Sequence, residues 1–172
     1  MNLKAFFTMP LAFLMMLLSL AFPPKLEQGI AVVYVSHGGG LAPRSQEYKI
    51  DLARENLWQH DYNGFLRVFG LPASTPRDEN AWFEGFNFAG RLKADKIAAF
   101  RAAAETYGFD SWEGEYKYDG DPPTDLPGWS IQIVFADGTV KESFGYCAYP
   151  AHWAEMEQAF EALTGRQILR FT

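Results

Sequence analysis

The 172-residue chain has a single cysteine, Cys147, which excludes an internal disulfide and a cysteine-built zinc site. Histidine is nearly as scarce, and His37, His60 and His152 are scattered without metal-ligand spacing. Positive charge is also short, with 15 Lys and Arg against 21 Asp and Glu and a net charge of −6. A general nucleic-acid binder needs a basic face to displace counterions, so no nucleic-acid partner is expected. The 15 glycines and 10 prolines are too few for a fibrous chain, and 48% apolar content is too high for a disordered one. The length suits one domain whose core hides roughly two-thirds of the unfolded surface.

Charge is missing altogether from Ala5 to Pro24, just after Lys4. A basic residue, an apolar stretch and the small residues Ser19-Leu20-Ala21 describe a secretory signal cut after Ala21. Residues 1–21 are therefore read as a signal peptide or N-terminal anchor, and residues 22–172 as a single α+β domain. A run of about 20 residues is long enough to cross a bilayer uncleaved. Pro10, Pro23 and Pro24 weaken the anchor reading because each interrupts or ends a helix. Export to the periplasm or medium is expected, with membrane contact only through this segment if it is retained.

Beyond the leader, Ile30 to Ser36 is apolar on both faces, as a central strand requires. Glu47 to Leu52 alternates, with Tyr48, Ile50 and Leu52 on one side and Glu47, Lys49 and Asp51 on the other, the pattern of a half-buried strand. Leu57 to Val68, interrupted by Asn63-Gly64, suggests a further strand or hairpin, and Leu71 to Asn80 reads as loop. Arg91 to Tyr107 sets Ile97, Phe100, Ala104 and Tyr107 on one helical arc, stopped by Gly108. Pro150 to Thr164 repeats the plan with Trp153, Met156, Phe160 and Leu163, stopped by Gly165. Between the helices, Trp129, Ile131, Ile133 and Phe135 share a strand face before Asp137-Gly138, which predicts a two-residue hairpin turn. That register sets Phe135 against Val140, Ile131 against Phe144 and Glu142 against Ile133. Glu142 then falls on the apolar face, where burial would raise its pKa and make it a site candidate. The order strands, helix, hairpin, helix predicts an α+β fold: an antiparallel sheet of four to six strands packed by two amphipathic helices.

Several motifs carry potential chemistry. His37-Gly38-Gly39-Gly40 has the glycine-freed amides of an oxyanion hole, but no G-x-S-x-G accompanies it, and a hairpin loop accounts for it. Cys147 precedes the last helix by a few residues, and His152 follows; a thiol nucleophile would need such a base within reach. Cys147, His152 and His37 are thus the catalytic candidates of a rival reading, a small hydrolase or thiol enzyme. Asp119, Asp121 and Asp125 in D-G-D-P-P-T-D are weak metal candidates, because Pro-Pro fills the middle and no Glu closes the loop. Glu113 and Glu115 point the same way in an extended segment, as solvated edge-strand charges do. Trp129 and Trp153 are assigned to the core by period, and Trp112 to packing against the first helix. The aromatic segment N-A-W-F-E-G-F-N-F, with Trp82, Phe83, Phe86 and Phe88, is the candidate contact site.

The run W-S-I-Q-I-V-F-A-D-G-T, then G-Y-C-A-Y-P, then an amphipathic helix resembles a group of small bacterial proteins of uncharacterised activity. These share a Gly-rich first hairpin after a P-P-K-L entry, here Pro23 to Leu26, and the likeness spans residues 23–165. It implies a single domain and assigns no catalytic residue. The expectation is an exported, non-enzymatic binding domain for a protein or envelope component, with no cofactor.

Overall fold

A computed structural model describes residues 29–38, 45–62, 86–120 and 128–169. Its strands are β1 (Ile30–Gly38), β2 (Ser45–Asp51), β3 (Asn56–Tyr62), β4 (Asn87–Arg91), β5 (Glu115–Tyr116), β6 (Gly128–Phe135) and β7 (Val140–Tyr146). Two helices, α1 (Ala94–Thr106) and α2 (Trp153–Thr164), and a 3-10 turn at Phe109–Ser111 complete the described elements. The strands form one sheet in the order β4-β3-β2-β1-β6-β7-β5. Among the described residues the fold is α+β with two helices, as the periodicity predicts.

The sheet differs from expectation in two ways. It has seven strands among the described residues rather than four to six, and it is mixed, because β5 runs parallel to β7. The sequence from Glu115 to Tyr116 is too short and too polar to announce itself as a strand; it is recruited by the edge groups of β7, where Phe144 N donates to Gly114 O at 3.0 Å. β1 lies between β2 and β6, and both of its faces carry buried side chains, Val33 and Val35 on one and Tyr34 on the other, in keeping with its apolarity.

One face of the sheet is roofed by both helices. Val33, Val35, Tyr48, Ile50, Leu57, Trp129, Ile131 and Ile133 form a single core with Ile97, Phe100 and Ala104 of α1 and Met156, Phe160 and Leu163 of α2. The helices start later than their patterns suggest. Arg91 ends β4, so α1 begins at Ala94, and Pro150 precedes a left-handed His152 (φ 61°) from which α2 departs. Both end where glycine permits positive φ, at Gly108 (61°) and Gly165 (69°). Aromatic contacts run through the core: Phe100 meets Phe160 at 4.8 Å, Phe109 meets Trp112 at 4.8 Å, and Trp129 meets Trp153 at 4.8 Å. After α2 the chain turns inward to bury Ile168 and Leu169, and the Arg166 side chain donates to Gln59 Oε1 and to Ala89 O.

The β6–β7 hairpin corrects the predicted register. Phe135 N donates to Thr139 O and Gly138 N to Phe135 O, both at 2.9 Å, so the loop contains three residues, with Gly138 at φ 84°. This is the turn followed by a left-handed residue that three-residue hairpins use. Pairing shifts by one: Val134 opposes Val140, Gln132 opposes Glu142 and Ile133 opposes Lys141. A one-residue slip sends every side chain of β7 to the other face. Glu142 is therefore off the apolar face, half-buried and accepting from the Gln132 amide.

The strap that follows β7 is pinned by Trp129. Its indole Nε1 donates to Ala148 O at 2.8 Å, and the ring lies against Gly145. Cys147 adopts a left-handed φ of 54° within this strap, a conformation costly for any residue with a Cβ.

Candidate functional site

The face of the sheet away from the helices carries an unusual set of side chains. Registers on β7, β6, β1, β2, β3 and β4 join Glu142, Gln132, Tyr34, Lys49, Trp58 and Phe88 into one cross-strand row. A second row, two residues along, joins Phe144, Ser130, Ser36, Glu47 and His60. Cross-strand neighbours on one face are within contact distance, so each row forms a continuous band.

Charge is concentrated at the middle of this face. Glu47 is 5% exposed and Lys49 4%, although both sit on the side of β2 that the alternation marks as solvated. The half-buried reading of β2 is thereby corrected, since both of its faces are buried. Lys49 Nζ lies 5.5 Å from the centroid of the Tyr34 ring, an attraction between ammonium and ring quadrupole. Asp51, also buried, accepts from Arg54 N at 2.8 Å and from Arg54 Nη1 at 3.3 Å, closing the β2–β3 turn.

The β3–β4 end is aromatic. Phe88 is 54% exposed and meets Trp58 edge-on at 5.3 Å, with the rings at 74°. Phe86 packs on the His60 ring at 5.3 Å. Two of the four residues of the predicted contact segment, Phe86 and Phe88, thus join Trp58 and His60 on this face; Trp82 and Phe83 lie outside the described residues.

Glu142 and Glu47 are separated by three strand spacings, about 14 Å at roughly 4.8 Å per strand, well beyond the separation at which two carboxylates share a glycosidic bond. Phe144 and Val140 are exposed at the opposite margin of the same face.

The other sequence candidates are dispersed. Among the described residues Cys147 makes no hydrogen bond to an imidazole. The His152 ring instead faces Glu155, with Nδ1 3.5 Å from Oε1, and packs on Tyr107 at 5.4 Å. His37 sits on the helix-covered side of β1, stacked on Tyr48, and burial holds its pKa below the ordinary value despite a hydrogen bond to Gln46 that works the other way. Cys147 acts electrostatically on Tyr149, whose phenol is pushed up first by burial and then by Cys147. Asp119 is exposed, whereas Asp121 and Asp125 lie outside the described residues, as do Gly39 and Gly40. No group of three or more His, Cys, Asp or Glu side chains among the described residues is placed to hold a metal ion. Glu113 and Glu115 are exposed beside the edge strand β5, and Glu115 pairs with Lys117 at 3.2 Å.

Sequence reasoning missed Tyr34, Lys49, Trp58 and Gln132 as members of one row. The alternation of Glu47 to Asp51 gave no local signal of this, because an antiparallel strand with one solvated face shows the same pattern. The chain matches no protein-family model, no curated protein and no solved structure, so geometry alone carries the functional reading.

Proposed function

We propose that the protein is a non-enzymatic, exported bacterial domain that binds a protein or cell-envelope component through the β3–β4 end of the sheet face opposite α1 and α2. Trp58 and Phe88 provide the apolar anchor, and Phe86 and His60 extend it. Trp82 and Phe83 belong to the same aromatic run in the sequence. The supporting observation is the large exposed ring of Phe88 held edge-on by Trp58, because aromatic side chains on a rigid element dominate binding energies when buried by a partner.

Co-sedimentation with isolated cell envelopes, and photo-crosslinking to soluble envelope proteins from position 88, test the proposal. Loss of one aromatic anchor worth about 2 kcal/mol weakens binding roughly 30-fold, so Phe88→Ser is expected to abolish retention and crosslinking at wild-type concentrations. Undiminished retention of a folded Phe88→Ser protein refutes it. Export is tested separately by mass spectrometry of the mature protein, which is expected to begin at Phe22. Retention of Lys4 in the mature chain overturns cleavage. No described helix is long and apolar enough to cross a membrane.

A further inference from the structure

The end of the sheet at which the chain enters the domain is basic, although the chain as a whole carries a net charge of −6. Arg54 lies in the β2–β3 turn, and Arg91, the last residue of β4, stands opposite Asn56 at the start of β3. Leu92 N donates to Glu55 O at 2.8 Å, which pins the start of α1 beside that turn and brings Lys93 and Lys96 to the same place. Arg101, further along α1, donates at 3.3 Å to the carbonyl of Ile30, the first residue of β1. Arg91, Lys93 and Lys96 are exposed and have no acidic partner among the described residues. The Arg54 side chain, 77% exposed, meets the buried Asp51. We infer that this end of the domain docks on an anionic phospholipid surface.

Charge and connectivity both favour a membrane as the occupant. Glu55 and Asp95 are the exposed acids beside the five cations, so this end keeps a positive excess. Asp137, in the β6–β7 turn, is three strand spacings from β3, about 14 Å at roughly 4.8 Å per strand. At 0.1 M salt the Debye length is about 10 Å, so acids elsewhere on the molecule are screened while cations at the contact are felt. Gly29 O accepts from Ala136 N at 3.0 Å, which places the entry of the chain at this same end. Only Lys25 to Gln28 separate Gly29 from the uncharged run that ends at Pro24. Five Cα steps span at most about 18 Å, so a leader held in a bilayer brings the basic end to the headgroups. The cations remain after a cut at Ala21, and each Lys or Arg near an anionic surface strengthens binding about fivefold. The contact uses neither Trp58 nor Phe88 and stands if that reading fails.

The protein as its cells make it, leader cut or kept, is mixed with vesicles of phosphatidylglycerol and phosphatidylcholine or of phosphatidylcholine alone, at about 0.1 M salt. Lysine acetylation is then read by mass spectrometry. Lys93 and Lys96 are expected to be protected about fivefold on the anionic vesicles and not on the neutral ones, with protection lost at about 0.5 M salt. Lys117, exposed beside β5, is expected to react equally on both. Exposed Arg91→Gln is expected to raise the lipid needed for half-protection about fivefold, whereas Phe88→Ser leaves it unchanged. The contact is weak by itself and is read at millimolar lipid, above the amount used for envelope retention. Equal protection on both vesicles, no protection on either, or an unchanged half-point in folded Arg91→Gln overturns the inference. Loss of protection in Phe88→Ser assigns the membrane to the β3–β4 face and overturns it as well. Protection by polyglutamate but not by phosphatidylglycerol vesicles identifies an acidic protein as the partner and overturns the lipid assignment.

Discussion

Gly145 offers the sharpest test of how the strap after β7 is held. A Cβ placed there would stand 2.5 Å from Ala148 O and 2.8 Å from both Cε2 and Nε1 of Trp129. None of these atoms is the end of a flexible chain: one is backbone, and the indole is packed on Trp112, Trp153 and Tyr149. Gly145→Ala must therefore push the strap outward or tilt the indole, and either movement breaks the Nε1 bond to Ala148 O. Overpacking a well-filled site costs about 1–3 kcal/mol, and a buried donor left unpaired costs about 1–3 kcal/mol more. Allowing for partial relaxation, the loss is about 2–4 kcal/mol, or roughly 5–15 °C of melting temperature for a chain of this length. Urea unfolding followed by tryptophan emission measures it directly. Gly114→Ala is the control, since its nearest neighbour, Glu142 O, is 3.8 Å away and its stability is expected to be unchanged. Equal midpoints for Gly145→Ala and the wild type refute the packing assigned to Trp129.

Asp51→Ala removes the acceptor for Arg54 N and is expected to cost about 1–2 kcal/mol, most of it restored by Asp51→Asn, as equilibrium denaturation will show. Burial lowers the His37 pKa from 6.5, so the unfolded chain binds a proton that the folded one refuses. Its contribution is full above about pH 6.5 and is lost as pH falls toward the folded value; His37→Gln should flatten that part of the stability–pH curve, and identical slopes count against a buried imidazole. Tyr149 should ionise later than an ordinary tyrosine in ultraviolet titration, and Cys147→Ala should lower its midpoint only in part, because burial is the larger cause. Without an imidazole partner, Cys147 is expected to react with a thiol reagent at neutral pH no faster than a free thiol; rapid selective labelling favours the thiol-enzyme reading instead.

Much of the architecture was legible before any coordinates. The arcs Ile97–Phe100–Ala104 and Met156–Phe160–Leu163 predict two helices with one face each to hide, and those residues are the ones buried. The two-sided apolarity of Ile30 to Ser36 predicts an interior strand, and β1 is one. The candidate site was legible only at its rim, through Phe86 and Phe88. Lys49, Tyr34 and Gln132 come from three strands far apart in sequence, and nothing local marks them as neighbours.

Local pattern and register part company at the β6–β7 turn. Composition and period determine which segments become helix or strand, because backbone preference and the demand to bury one face act over a few residues. Asp137-Gly138 likewise marks where the chain must reverse. Only the folded turn, with Gly138 in the left-handed region and three residues in the loop, decides the pairing, and with it the face on which Glu142 stands. Strand order is decided at the same level: β6 joins β1 and β5 joins β7 through backbone hydrogen bonds whose donors and acceptors are identical at every residue, so their choice of partner follows from the packing of the whole sheet.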